Sequence, residues 1–289
     1  MRLVDTHAHT WGPDDADLPW QSADVPPGWP GGAHSHADHL AAMDAADVDE
    51  AILLPTSLYG RGPRANEYTL RSIEAHPERL WGVGVTEYQT DEKALRASVQ
   101  RVLAHERMLG LRFHAAFEYG PTPGDLDPTA DWIAADGMTP LYEELGRQDG
   151  AAFVLAKPQQ LPMLAALAER FPDVDFIVEH MAFFEEQIDP AAPPWTNFET
   201  FAEHDNAYVK VSSIPRASAE SWPYADVEPY VRSLVEWFGP ERLLLGSDYP
   251  WLHDSASYED CLSWPEAADY LSARDLSYLS YRTFSALFE

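Results

Sequence analysis

Apolar positions recur along this chain in short runs separated by amphipathic stretches. The runs are Arg2–Thr6, Ala51–Pro55, Trp81–Thr86, Gly110–His114, Ala151–Ala156, Val174–His180, Ala207–Ser212 and Leu243–Ser247. Most are apolar almost throughout and rich in Val, Ile, Leu or Phe, as strands covered on both faces should be. Helical spacing predicts Ala37–Ala46, Ala65–Ala75, Glu92–Met108, Leu141–Gln148, Gln160–Phe171 and Val227–Phe238 between them, with Trp264–Leu271 and Arg274–Phe288 closing the chain. Thr139-Pro140 opens one helix as a cap residue followed by proline at the first helical position. Eight strands alternating with helices predict an α/β fold, a (β/α)8 TIM barrel, as one domain over residues 1–289.

The connections are lopsided in the way an enzyme barrel requires. Helix-to-strand links such as Asp149-Gly150 and Pro172-Asp173 are short. Strand-to-helix links are long: Thr10–His36, Ala115–Met138, Met181–Trp195, Ser213–Ala225 and Tyr249–Ser263. In a barrel the long set gathers at the carboxyl ends of the strands, where active sites are built.

Polar residues stand at those same strand ends. Asp5-Thr6-His7-Ala8-His9 ends the first strand, and alternation predicts Asp5, His7 and His9 on one side with Thr6 and Ala8 on the other. Arg112 and His114 end the fourth strand, Glu179-His180 the sixth and Asp248 the eighth; Lys210 and Ser212 share parity on the seventh. His7, His9, His180 and Asp248 make a donor set for one divalent ion, and three imidazoles with a carboxylate suit zinc. Such an ion polarises a carbonyl and acidifies its water, and Asp248 is the candidate general base. Without an ion, His7, His9 and His180 become hydrogen-bond donors to the carbonyl and Asp248 still activates water. Arg112, His114, Lys157, Lys210 and Arg216 are candidate cations for a substrate carboxylate or carbonyl, with Tyr249 and Trp251 at the rim. Trp11, Trp20 and Trp29 mark the first long loop as a pocket wall or lid. His34, His36 and His39 read as a surface cluster, and Cys261 has no neighbouring base to make it a nucleophile.

Charge narrows the partners. Across 289 residues, 48 acids face 19 lysines and arginines, for a net charge of −29, and Lys93, Lys157 and Lys210 are the three lysines. Such a surface repels nucleic acid and anionic membranes, which leaves a small-molecule substrate; a homo-oligomer is compatible with the sequence. An acid-rich, lysine-poor chain predicts a halophilic source, because concentrated salt screens its self-repulsion. A melting temperature that does not rise from low to molar KCl would sink that expectation. The absence of a charged and apolar leader and the single cysteine predict a reducing cytoplasm.

Three stretches resemble the amidohydrolase superfamily, and within it the amidohydrolase-2 group: Val4-Asp5-Thr6-His7-Ala8-His9, Phe176-Ile177-Val178-Glu179-His180, and Phe238-Gly239-Pro240-Glu241-Arg242 running into Gly246-Ser247-Asp248-Tyr249-Pro250. Gln159-Gln160-Leu161-Pro162, Arg170-Phe171-Pro172-Asp173 and Val209-Lys210-Val211-Ser212 are similar to lactone hydrolases of that group. The resemblance implies a (β/α)8 barrel hydrolysing lactones, esters or amides, and most closely a lactonase. Binuclear members carry a carboxylated lysine on strand 4, where this chain has Arg112-Phe113-His114, and many place a histidine after strand 5, where it has Leu155-Ala156-Lys157. Both departures predict one ion at most. The alternatives are a metal-dependent decarboxylase of an aromatic or unsaturated acid, which would want that missing histidine, and a non-catalytic barrel binding a small molecule.

Overall fold

The computed structural model describes residues 2–23, 25–26, 28–60, 62–87, 91–115, 132–183 and 188–289. Eight parallel strands form one sheet in sequence order: β1 Val4–Ala8, β2 Glu50–Leu53, β3 Leu80–Gly84, β4 Met108–His114, β5 Ala151–Leu155, β6 Phe176–Val178, β7 Ala207–Ser212 and β8 Leu243–Gly246. Every apolar run thus forms a strand. A helix of six residues or more follows each: α1 His36–Ala45, α2 Asn66–Ala75, α3 Glu92–Val102, α4 Thr139–Arg147, α5 Leu161–Arg170, α6 Asn197–Ala202, α7 Glu228–Phe238 and α8 Tyr258–Ala267. The barrel closes just beyond β8, where the Asp248 amide donates to the His7 carbonyl (2.8 Å) and the His9 amide to the Tyr249 carbonyl (2.9 Å).

Several boundaries differ from the sequence expectation for identifiable reasons. The helix expected over Glu92–Met108 ends at Val102, because Met108 already belongs to β4. α8 starts six residues before the predicted Trp264: Ser257 caps it through the Asp260 amide, and the Asp260 side chain returns the bond, a capping box that outweighs the later apolar spacing. Thr139 is itself helical, with Met138 at the cap position. The closing helix is broken into Ala273–Ser277, Tyr278–Arg282 and Thr283–Phe288. Of the long loops, 116–131 and 184–187 lie outside the described residues.

One irregularity positions the site. Asp5 pairs with Ala51 and Ala8 with Leu53, so three steps along β1 match two along β2. The extra residue is a bulge, and it inverts the alternation beyond it. Ala51, Leu53 and Ala8 face the helical layer. Asp5 shares their face and bonds Tyr258 of α8 (3.0 Å), while His7 and His9 turn into the barrel. The expectation that Asp5 would join the two histidines is therefore corrected. Gly246 makes room for the bulge: a Cβ there would lie 2.9 Å from His7 Cβ and 3.2 Å from Ser212 Cβ.

The amino end of the barrel is plugged by Val4, Ile52, Trp81, Phe153, Leu244 and Phe284, the last from the closing helical segment. Arg2 ties the two chain ends together there, reaching Glu50, Ser285 (3.0 Å) and Glu289 (2.8 Å). Among the described residues no helix is long and apolar enough to cross a membrane.

Candidate active site

Three histidines from two strand ends, β1 and β6, converge on one oxygen of Asp248 at the end of a third, β8. Asp248 Oδ1 lies 3.7 Å from His7 Nε2, 3.5 Å from His9 Nε2 and 3.9 Å from His180 Nε2, and all four residues are buried. Its other oxygen accepts from Ser213 Oγ (2.9 Å) and Arg216 Nη1 (3.2 Å), which fixes the carboxylate plane. The chain bends sharply to present these groups. His180, Ser213 and Asp248 have φ of 53°, 58° and 62°, the left-handed region that side chains ordinarily avoid, so each turns inward as its strand ends.

The opposite edges of two of the imidazoles are hydrogen-bonded, and that of the third meets a carboxylate. His9 Nδ1 donates to the Leu54 carbonyl (3.0 Å), and His180 Nδ1 shares a hydrogen bond with Ser212 Oγ (2.9 Å). His7 Nδ1 faces Glu179 Oε1 at 3.6 Å. Burial lowers the pKa of all three rings, that of His180 to about 4, so they are neutral near pH 7. Burial alone would raise the Asp248 pKa, but His180, His9 and Arg216 reverse this and hold it below the usual carboxylate range.

This donor set fits a cation. A tetrahedral zinc with bonds of about 2.0–2.1 Å sets its ligands about 3.3–3.4 Å apart; the histidines stand 3.5 to 3.9 Å from Asp248 Oδ1, and His7 and His9 stand 3.2 Å apart. His7, His180 and Asp248 each offer a ligand atom within 4.8 Å of the others, and His9 joins them from the side of His7 and Asp248 without being part of that close group. The strongest sign is the 3.2 Å between His7 Nε2 and His9 Nε2. His9 carries its proton on Nδ1, because a carbonyl can only accept, so its Nε2 presents a lone pair. If the His7 proton also sits on Nδ1, two lone pairs face each other, and a cation between them removes the repulsion.

Above this cluster is a cavity of about 340 Å³ whose lining includes Arg112, His114, Arg216, Thr56, Leu155 and Trp251. Thr56 Oγ1 is buried without a hydrogen-bond partner among the described residues. The structure thus brings His9, Arg112, His114, His180, Asp248 and Trp251 to one cavity, with His7 beneath. Three expected substrate contacts fall elsewhere. Lys157 is exposed just past β5. Lys210 is fully buried inside the barrel, below the histidines, where Nζ donates to the Thr6 carbonyl (2.5 Å) and sits 4.6 Å from the Phe153 ring centre. Burial lowers its pKa to about 8 despite Glu179. Parity predicted an inward side chain correctly but not its depth along the strand. Tyr249 packs against His34 and Tyr258 instead of lining the cavity.

Two loop expectations also change. Trp11 and Trp29 join Leu18, Leu58 and Tyr59 in a satellite core beside β2 and do not line the cavity. His34 and His39 are buried, not superficial: they lie 3.3 Å apart by ring nitrogens, within the same aromatic packing. Cys261 is buried as well, and burial pushes its thiol pKa up, away from nucleophilic use. The residues missed in sequence were Glu179, Thr56 and Ser213. Glu179 and Ser213 immediately adjoin His180 and Ser212, and that adjacency was the available signal.

Comparison with known proteins agrees with the fold. Residues 4–279 match the sequence model of the family described as amidohydrolase. The chain is 31% identical over 137 residues to an L-fucono-1,5-lactonase of Burkholderia ambifaria, a match spanning 46% of this chain and 46% of that protein. It is 25% identical over 274 residues to a 4-sulfomuconolactone hydrolase of Rhizobium radiobacter, covering 93% of this chain and 81% of the relative. A crystal structure of an amidohydrolase from Burkholderia multivorans with bound zinc superposes with a TM-score of 0.79 at 21% identity, covering 100% of this chain and 99% of that one.

Proposed function

This chain belongs to the amidohydrolase family, and on that premise we propose that it hydrolyses the ring ester of a small lactone bearing an anionic group. The observation that carries this reading is the pairing of two chemistries in one cavity: Asp248 with three imidazoles on its floor, and Arg112 and Arg216 on its wall. In a chain of net charge −29, two guanidinium groups beside the site are a selective feature, and they suit a carboxylate or sulfonate.

The chain's own groups perform the steps. Arg112 binds the anionic substituent and aligns the ring. Asp248, an ionised carboxylate held by Ser213 and Arg216, accepts a proton from water as the water oxygen bonds to the acyl carbon. The bond from acyl carbon to ring oxygen then breaks, and Asp248 returns the proton to the departing alkoxide, leaving a hydroxy acid. His7, His9, His180 and Asp248 would hold one divalent ion, zinc by ligand type, which when bound supplies Lewis-acid polarisation of the carbonyl.

A panel of carboxylated and neutral lactones, assayed with zinc-loaded protein, tests the proposal. Hydrolysis with kcat/KM favouring the carboxylated ring at least tenfold is expected. Carbon dioxide release from an aromatic acid with no lactone turnover would overturn it in favour of the decarboxylase, and ligand binding without turnover in favour of a binding barrel.

A further inference from the structure

One buried acid below the site is not used by the steps above. Glu179 has no solvent exposure and sits among three inward-facing donors from three other strands. Its Oε2 accepts from Arg112 Nε of β4 (3.0 Å), Lys210 Nζ of β7 is 4.0 Å from Oε1, and His7 Nδ1 of β1 is 3.6 Å from the same oxygen. Lys210 in turn donates to the carbonyl of Thr6, inside the bulge that aims His7. A carboxylate removed from water must be matched by charge and hydrogen bonds. The charge is present in Arg112 and Lys210, yet among the described residues Glu179 Oε1 and His7 Nδ1 are both buried without a hydrogen-bond partner, and they face one another.

The two tautomers of His7 have different consequences. With the proton on Nε2, that atom can donate to His9 Nε2, but the Nδ1 lone pair then faces a carboxylate oxygen, and both stay unsatisfied. With the proton on Nδ1, a small closure of the 3.6 Å gap makes the missing bond, and the Nε2 lone pair is released toward Asp248 and His9. We propose that Glu179 is a positioning residue that holds His7 with Nδ1 protonated and Nε2 presented to the cation and, through its other oxygen, sets the guanidinium of Arg112 at the cavity. One side chain thereby joins the ion-holding half of the site to its anion-binding half. With Nε engaged, the terminal amino groups of Arg112 are the ones left to the cavity that Arg112 lines. This inference rests on the reading of His7, His9, His180 and Asp248 as a cation site.

The test uses zinc itself and two variants of the full chain, Glu179→Gln and the double change Glu179→Gln with Lys210→Met. The double change removes one buried negative and one buried positive group together, so the buried charge is unchanged. Zinc affinity is read by competition with a chromophoric chelator. A 10- to 100-fold loss in both variants is expected, about what loss of an outer partner of a ligating histidine produces, with a rise in KM for a carboxylated lactone and a smaller rise for its neutral counterpart. A folded variant with wild-type zinc affinity and unchanged KM overturns the assignment. A wild-type chain that binds no zinc at all overturns the cation reading and this inference with it, a different outcome from equal binding by both. If the variants fail to fold, ring nitrogen NMR of zinc-loaded wild-type protein decides: a protonated Nδ1 on His7 supports the proposal, and a protonated Nε2 overturns it.

Discussion

The two ends of the barrel share one scaffold and bury opposite kinds of side chain. The amino end is filled by apolar groups, with Phe284 wedged 5.5 Å from the Trp81 ring. The carboxyl end buries His7, His9, Arg112, Glu179, His180 and Asp248, and leaves polar atoms of His7 and Glu179 without hydrogen-bond partners among the described residues. Backbone conformation divides the same way. In the short helix-to-strand turns the described non-glycine residues of positive φ are Asp47 and Asp149, a residue type that tolerates that region. Beyond the strands they include His180, Met181, Ala182, Ser213 and Asp248, at about 1–3 kcal/mol each. Strain and buried polarity fall together at one end and not at the other. Packing for stability explains the first end; holding reactive groups explains the second.

That division predicts how each end fails. The largest effect is expected from Asp248→Asn, which removes the proton acceptor. Lactone turnover should fall by about 10²- to 10⁴-fold, with a thermal shift smaller than that of an amino-end core change; near-normal kcat would erase the distinction. Phe284→Ala should show the reverse, losing about 3–5 kcal/mol of stability on chemical denaturation while kcat below the melting range stays within about twofold. A parallel loss of kcat would mean the two ends are mechanically coupled.

Gly246→Ala probes the boundary between the ends. The added methyl meets His7 and Ser212, so it should destabilise by about 1–3 kcal/mol through overpacking and also weaken zinc binding. Loss of stability without loss of zinc affinity would mean the bulge relaxes without moving His7. The smallest effect belongs to the chain-end clasp. The Arg2 bond lowers the Glu289 pKa to about 2. A depressed carboxylate stabilises above its ordinary pKa and loses that contribution as pH falls toward the folded value. Arg2→Ala should therefore lower the melting temperature by a degree or two at pH 6 and less at pH 3, because exposed pairs contribute about 1 kcal/mol or less. Equal shifts at both pH values would remove Glu289 from the account.

The sequence made the barrel and much of the site legible because both follow period and register. Apolar runs of strand length can be counted, and a polar residue at the end of such a run must lie at the carboxyl end. His7, His9, His180 and Asp248 were readable on that ground. Other features depend on coordinates that periodicity does not contain. Alternation gives the side of a strand but not the depth, so parity alone sends Lys210 to the cavity, whereas it lies beneath it. A bulge inserts one residue without changing composition, which is why Asp5 was put with His7 while its carboxylate bonds Ser247 (2.6 Å) and Tyr258 on the helical side. Glu179 looked like the neighbour of a ligand; its significance lies in Arg112, Lys210 and His7, remote in sequence.

We propose that one cation held at the carboxyl end is required for lactone hydrolysis. Stripping the protein with a chelator and titrating zinc back, with bound metal and turnover followed together, tests it most directly. Turnover should vanish on stripping and return in step with zinc, levelling at one ion per chain. Full lactone hydrolysis by protein holding no metal would contradict the claim and assign the chemistry to Asp248 and the histidines alone.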